Sequence, residues 1–172
     1  MALYQVENQW GGSSAPWNEG GKWGIGSRDN QNVVAINIKS NDGGETLNGT
    51  ITYSGEGPIG FRAKRSGSND YTVENQWGGD AAPWHDGGTW VLGGRSGQNV
   101  VAIDVKSDDG GETLNGTITY KGEGSIGFKG VRASGVAKIK TRGFEDVGED
   151  LTTTTDDDTN GVIDPKDLPT FP

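Results

Sequence analysis

The sequence predicts an all-β protein, ten short strands closed into one pseudo-symmetric barrel, and three observations carry that prediction. The heptapeptide VENQWGG stands at 6–12 and again, letter for letter, at 73–79. Between such landmarks, apolar residues alternate with polar ones or gather in β-branched runs, and no stretch has a helical period. Clusters of Gly, Asn and Asp, such as SNDGGE and SDDGGE, divide these runs at short intervals as tight turns do.

The repeat is the strongest of the three, because a missed repeat misreads a fold. Sliding the chain by 67 residues aligns Tyr4 with Tyr71 and Phe61 with Phe128, and 42 of the 59 pairs between positions 4 and 62 are identical. The copies share APW (15–17 and 82–84), QNVVAI (31–36 and 98–103), GGETLNGTITY (43–53 and 110–120) and IGF (59–61 and 126–128). In the first copy, strands are expected near 4–8, 22–28, 31–40, 46–54 and 58–65, with five equivalents in the second. Ten strands are too many for one flat sheet, and closure removes exposed edges. One barrel over 1–133, with repeats at 1–67 and 68–133, is favoured over two domains, since about 65 residues alone bury a marginal core.

Composition narrows the class. Only 30% of the 172 residues are hydrophobic and 31 are glycine, which suits a turn-rich β protein; cysteine is absent, so neither disulfides nor thiol chemistry contribute. The formal charge of −9 is unevenly spread. Residues 1–143 hold 14 Lys and Arg against 15 Asp and Glu, whereas 144–172 hold one Lys against nine acids. The body has no basic stripe of the kind a phosphate backbone needs, so nucleic acid is not an expected partner. No run of about 18 apolar residues suggests a membrane span, and MALYQVENQW lacks the features of a signal peptide. The expectation is a soluble chain, cytoplasmic or released by a non-classical route. Residues 134–172, acidic, threonine-rich and poor in core formers, are expected to be an extension outside the barrel.

Each repeat carries three tryptophans. An apolar core accounts for Trp17, Trp23, Trp84 and Trp90. Trp10 and Trp77 differ, because a Gly-Gly pair follows each in the loop after the first strand. An indole beside Gly11–Gly12 or Gly78–Gly79 is a flat platform with reachable backbone N–H groups, suited to the C–H face and hydroxyls of a sugar ring. A turn pair beside a core Trp is the structural alternative. Arg28 and Arg95, at the expected ends of the second strands, and Glu56 and Glu123, within GEG turns, have solvated turn charges as their alternative reading. Yet guanidinium and carboxylate are also the groups that bridge vicinal hydroxyls with paired hydrogen bonds.

A glycosidase needs two carboxylates flanking one bond, roughly 5–10 Å apart. Glu56 and Glu123 are the same residue of two repeats, and symmetry assigns them to different sites. Glu7 and Glu74 alternate on a strand and read as structural. The sole histidine, His85, is Asn18 in the other copy, which argues against an essential proton shuttle. A glycoside hydrolase and an adhesion barrel without sugar specificity remain the alternatives.

ALYQVENQWGGSSAPWNEGG, GSRDNQNVVAIN, TLNGTITYSGEGPIGF and their second copies closely resemble the Oscillatoria agardhii agglutinin family of high-mannose-binding antiviral lectins, over about 1–133. The resemblance implies a compact ten-stranded antiparallel barrel with sugar sites at opposite ends, recognising the branched mannose core of N-linked glycans without metal or other cofactor. Carried over by position, one site is Trp10, Gly11 and Gly12 with Arg95 and Glu123; the other is Trp77, Gly78 and Gly79 with Arg28 and Glu56. The implied partners are high-mannose glycoproteins such as viral envelope glycoproteins, cross-linked by a monomer with two sites. Gly94, Ser125 and Gly24 stand where the other repeat has Ser27, Pro58 and Val91, so equal site strength is not expected. The extension has no counterpart in that pattern. Its DDDTNGVIDPKD, 156–167, has the oxygen spacing of a calcium loop, with Asp156, Asp158, Asn160, Asp164 and Asp167 as side-chain ligands. A solvated acidic tail explains the same charge run.

Overall fold

The computed structural model describes residues 2–28, 31–93, 95 and 97–133, apart from the side chains of Ser27 and Arg28. The first repeat supplies β1 (Ala2–Gln9), β2 (Asn18–Ile25), β3 (Ser27–Arg28), β4 (Gln31–Lys39), β5 (Thr46–Tyr53) and β6 (Pro58–Arg65). The second supplies β7 (Asp70–Gln76), β8 (His85–Val91), β9 (Val100–Lys106), β10 (Thr113–Tyr120) and β11 (Ser125–Arg132). Strands alternate between inside and outside: in β1, Ala2, Tyr4, Val6 and Asn8 are buried while Leu3, Gln5 and Glu7 face out.

The strands run antiparallel in the order β4-β5-β6-β7-β8-β2-β1-β11-β10-β9, and β9 pairs back to β4, closing a ring of ten; β3 pairs only with β4. The two repeats interleave, since the β1–β2 hairpin of the first lies between β8 and β11 of the second. At one seam Gly24 faces Val91, and at the other Asn37 faces Asp104. Both are pairs of residues 67 apart, so the pseudo-twofold axis passes through both seams. Neither repeat could close a barrel around its own core.

The core crosses the repeats as well. Trp23 meets Phe128 edge-on at 5.0 Å, and Trp90 meets Phe61 the same way at 5.1 Å, all four residues being buried. The Tyr4 hydroxyl donates to the Gly111 carbonyl at 2.5 Å and the Tyr71 hydroxyl to that of Gly44 at 2.8 Å, each bond joining one repeat to the other. Burial pushes the Tyr4 hydroxyl up to about 12, so it remains a donor over the whole working range of pH.

Two expectations are corrected here. The strand expected at 22–28 begins four residues earlier and breaks at Gly26, because that glycine lies against the Trp90 indole where a side chain would collide. Arg28 therefore belongs to the separate β3, and Arg95 follows β8 rather than ending it. Of the four tryptophans assigned to the core, Trp23 and Trp90 are fully buried, but Trp17 and Trp84 are only half-buried. Their outer faces carry Lys129 at 4.4 Å and Arg62 at 4.1 Å. Those cations pair in turn with Glu7 at 3.4 Å and Glu74 at 2.6 Å, which gives the two glutamates the structural role expected of them.

The SNDGGE and SDDGGE turns are locked by their aspartates. Asp42 accepts from the Thr46 backbone N–H at 2.9 Å, from the Thr46 hydroxyl at 2.7 Å and from the Ser40 hydroxyl at 2.7 Å. Asp109 repeats the arrangement with Thr113 and Ser107. These bonds, the threonine backbone N–H first, hold both carboxyls down at about 2 against an ordinary 3.8. A carboxyl lowered in the folded state stabilises it above the unfolded value, and that contribution disappears as pH falls through the folded value. The melting temperature of the wild type is therefore expected to fall between about pH 4 and 2 more steeply than that of the Asp42→Asn, Asp109→Asn double variant, as scanning calorimetry across that window would measure.

Candidate functional site

The loop after β1 sets the first site. Gly11 and Gly12 take φ of 94° and 102°, left-handed values that a side chain would strain, and the Ala15 N–H closes the turn on the Gly12 carbonyl at 3.1 Å. Gln9 braces the loop from below, its amide donating to the carbonyls of Ser13 at 3.1 Å and Ala15 at 2.8 Å. The turn thus ends β1 abruptly and leaves Trp10 48% exposed, high for the largest apolar side chain.

Across from Trp10 stand residues of the other repeat. The Arg95 guanidinium lies 5.6 Å from the Trp10 ring and 4.1 Å from the Tyr120 ring, and it donates to Glu123 at 2.8 Å and to Gln98 at 3.0 Å. Gln98 in turn donates to the other Glu123 oxygen at 2.9 Å and to the Lys121 carbonyl at 3.1 Å. The Gln98 bond first and Arg95 second hold the Glu123 carboxyl below its ordinary value, so it stays ionised as an acceptor. Between these groups opens a cleft of about 250 Å³ lined by Asn8, Trp10, Glu19, Gly20, Gly21, Arg95 and Tyr120. An apolar platform and a planar donor in one open cleft, the donor itself bonded to Glu123, can stack a polyol and bond its hydroxyls.

The second loop repeats the first. Gly78 and Gly79 take φ of 94° and 102°, the Ala82 N–H closes on the Gly79 carbonyl at 3.1 Å, and Trp77 is 46% exposed. Glu56 accepts from Gln31 at 2.9 Å, as Glu123 does from Gln98. The backbone of Arg28 is in β3, and its side chain lies outside the described residues, as do 134–172 with the calcium spacing at Asp156, Asp158, Asn160, Asp164 and Asp167. Among the described residues no cluster of His, Asp and Glu could hold a metal ion.

Sequence reasoning passed over four contributors. Gln98 and Gln31 orient the glutamates, and Tyr120 supports Arg95 from beneath; all stand in segments identical between the repeats, the signal that could have found them. Glu19 lines the first cleft but is Asp86 in the other copy. His85, read only as a poor proton shuttle, stacks on Trp77 at 4.2 Å with the rings 15° from parallel.

A barrel whose loops assemble a tryptophan platform with an arginine–glutamate pair is of the carbohydrate-binding class. A model of the OAA-family lectin sugar binding domain matches residues 2–66 and 69–133. The chain belongs to that family of lectins, which are sugar-binding proteins and not enzymes. It is 74% identical over 129 residues to Lectin OAA of Planktothrix agardhii, covering 75% of this chain and 98% of that protein. It is 68% identical over 129 residues to the myxobacterial hemagglutinin of Myxococcus xanthus, covering 75% of this chain and spanning only 48% of that protein. Among solved structures, the Pseudomonas fluorescens agglutinin is 66% identical with a TM-score of 0.74, over 75% of this chain and 98% of the other. The Myxococcus xanthus hemagglutinin in complex with α3,α6-mannopentaose is 67% identical with a TM-score of 0.74, over 75% of this chain and 48% of the other.

Proposed function

We propose that the chain binds the branched mannose core of high-mannose N-glycans at two sites and cross-links the glycoproteins that carry them, viral envelope glycoproteins included. The observation that carries the reading is the cleft that Trp10 of one repeat lines together with Arg95 of the other, Arg95 being bonded to Glu123. Trp10, Gly11, Gly12, Arg95 and Glu123 form one site; Trp77, Gly78, Gly79, Arg28 and Glu56 form its counterpart. The resemblance to a hemagglutinin whose solved complex holds mannopentaose supports the ligand. Cross-linking explains the duplication. A single sugar site lets go quickly, whereas two on one rigid barrel raise avidity about 10²- to 10⁴-fold where the geometry allows. A glycan array tests the reading: binding confined to branched mannosides supports it, and binding across unrelated glycans, or none, counts against it.

The Arg95 geometry gives a sharper expectation. Arg95→Lys keeps the charge but loses the guanidinium Nη1 that donates to both Glu123 and Gln98 and the flat face that lies on Tyr120. Affinity at the Trp10 site should fall by about 1.5–3 kcal/mol, the range for a charge-assisted hydrogen bond, with the Trp77 site unchanged. Calorimetric titration resolves this as one strong site remaining of two.

Sugar binding in this reading needs no metal. Calcium belongs to the extension, where the oxygen spacing of 156–167 supports a separate site. Millimolar calcium is expected to shift the amide resonances of 156–167 while leaving mannopentaose affinity unaltered; resonances that do not move remove the calcium site.

A further inference from the structure

The two sites share their tryptophan, glycines, arginine and glutamate, so any difference in what they prefer must come from positions where the repeats diverge. One divergent residue lines the first cleft. We propose that Glu19 is a further sugar-contacting residue, accepting a hydroxyl hydrogen bond in the Trp10 cleft and giving that site a preference its counterpart lacks. The inference rests on the reading of the cleft as a mannoside site.

Three observations carry it. The pairing of β1 with β2 shifts between Val6 and Glu7: Val6 faces Gly21 and Glu7 faces Glu19, leaving Gly20 as the extra residue of a bulge. A bulge re-aims the side chain beside it, and Glu19 lines the cleft together with Gly20, Gly21, Trp10 and Arg95. Gly20 cannot be replaced without meeting the Asn8 side chain, where an added Cβ would lie 2.6 Å from Oδ1, so the bulge and its aim are fixed.

The second repeat has the same bulge, between Val73 and Glu74, but not the same carboxylate. Asp86, one methylene shorter, accepts from the Gly88 backbone N–H at 3.0 Å across its own bulge. Among the described residues Glu19 makes no such bond with Gly21. The Trp10 cleft is therefore lined by one carboxylate, Glu19, beside the Arg95 that Glu123 holds. The Trp77 site holds the corresponding carboxylate back and has an imidazole stacked on its indole instead. An acceptor that forms its hydrogen bond only with ligand strengthens binding to a hydroxyl correctly placed and penalises a sugar that lacks it.

Glu19→Gln and Asp86→Glu test this, with α3,α6-mannopentaose titrated into the full chain while the indole N–H signals of Trp10 and Trp77 are followed by NMR. Glu19→Gln should weaken the Trp10 site roughly ten-fold and leave the Trp77 site and the melting temperature as they were. Asp86→Glu should tighten the Trp77 site a few-fold. Wild-type affinity at the Trp10 site of Glu19→Gln, or an equal loss at both sites, overturns the proposal while leaving the mannoside reading intact. Failure of the wild type to respond to mannopentaose at either indole overturns both.

Discussion

Replacing Trp10 and Trp77 together by alanine abolishes mannopentaose binding and leaves the barrel folded. Both indoles are nearly half exposed, at 48% and 46%, and both stand in loops past the ends of β1 and β7, so truncation opens no cavity in the core. What is lost is the apolar face on which a sugar ring stacks, the part of each site that its arginine and glutamate cannot replace. Each single variant should bind one equivalent in calorimetry where the wild type binds two, and should lose agglutination altogether, because cross-linking needs both ends. The double variant should show no heat of binding with an unchanged far-ultraviolet circular dichroism spectrum. Undiminished binding would remove the tryptophans from the site.

How much of this was legible in the sequence follows from where the two copies agree. The ten-stranded barrel could be read because alternation, turn chemistry and a repeat of 67 residues all point to it, and each is a local or one-dimensional signal. The pairing of β1–β2 with the opposite repeat is neither. It depends on which strands meet at the seams; the resemblance implies only that each site draws on both repeats, and nothing in VENQWGG says that Trp10 faces Arg95 rather than Arg28. The break at Gly26 escaped detection because its cause, the Trp90 indole, is 64 residues away in sequence. Glu19 escaped because a bulge, invisible to period-two counting, decides where its carboxylate points. The half-exposure of Trp17 and Trp84 is not legible for another reason: the cations that cover their faces, Lys129 and Arg62, are distant in sequence, so each ring reads only as an apolar residue fit for the core.

Trp23→Ala or Trp90→Ala should have the opposite signature, intact sites on a destabilised barrel. Both indoles have no exposed surface, and each meets a phenylalanine of the other repeat edge-on, Phe128 and Phe61 respectively. Truncation removes a large buried ring and leaves a cavity the surrounding strands can only partly fill, a loss of about 3–5 kcal/mol. For a domain of this size that is a large share of the total, typically about 5–15 kcal/mol. Because these contacts, the tyrosine bonds to Gly111 and Gly44 and the β4–β9 seam all run between repeats, the damage cannot stay in one half. Denaturant unfolding followed by tryptophan fluorescence and by circular dichroism should therefore give one coincident transition, shifted to lower denaturant with its slope preserved. A fragment ending at residue 67 should remain unfolded, since its β1–β2 hairpin has lost the strands on either side. Two separated transitions in Trp23→Ala, one for each repeat, would show that the copies fold independently and that the interleaved core does not bind them into one unit.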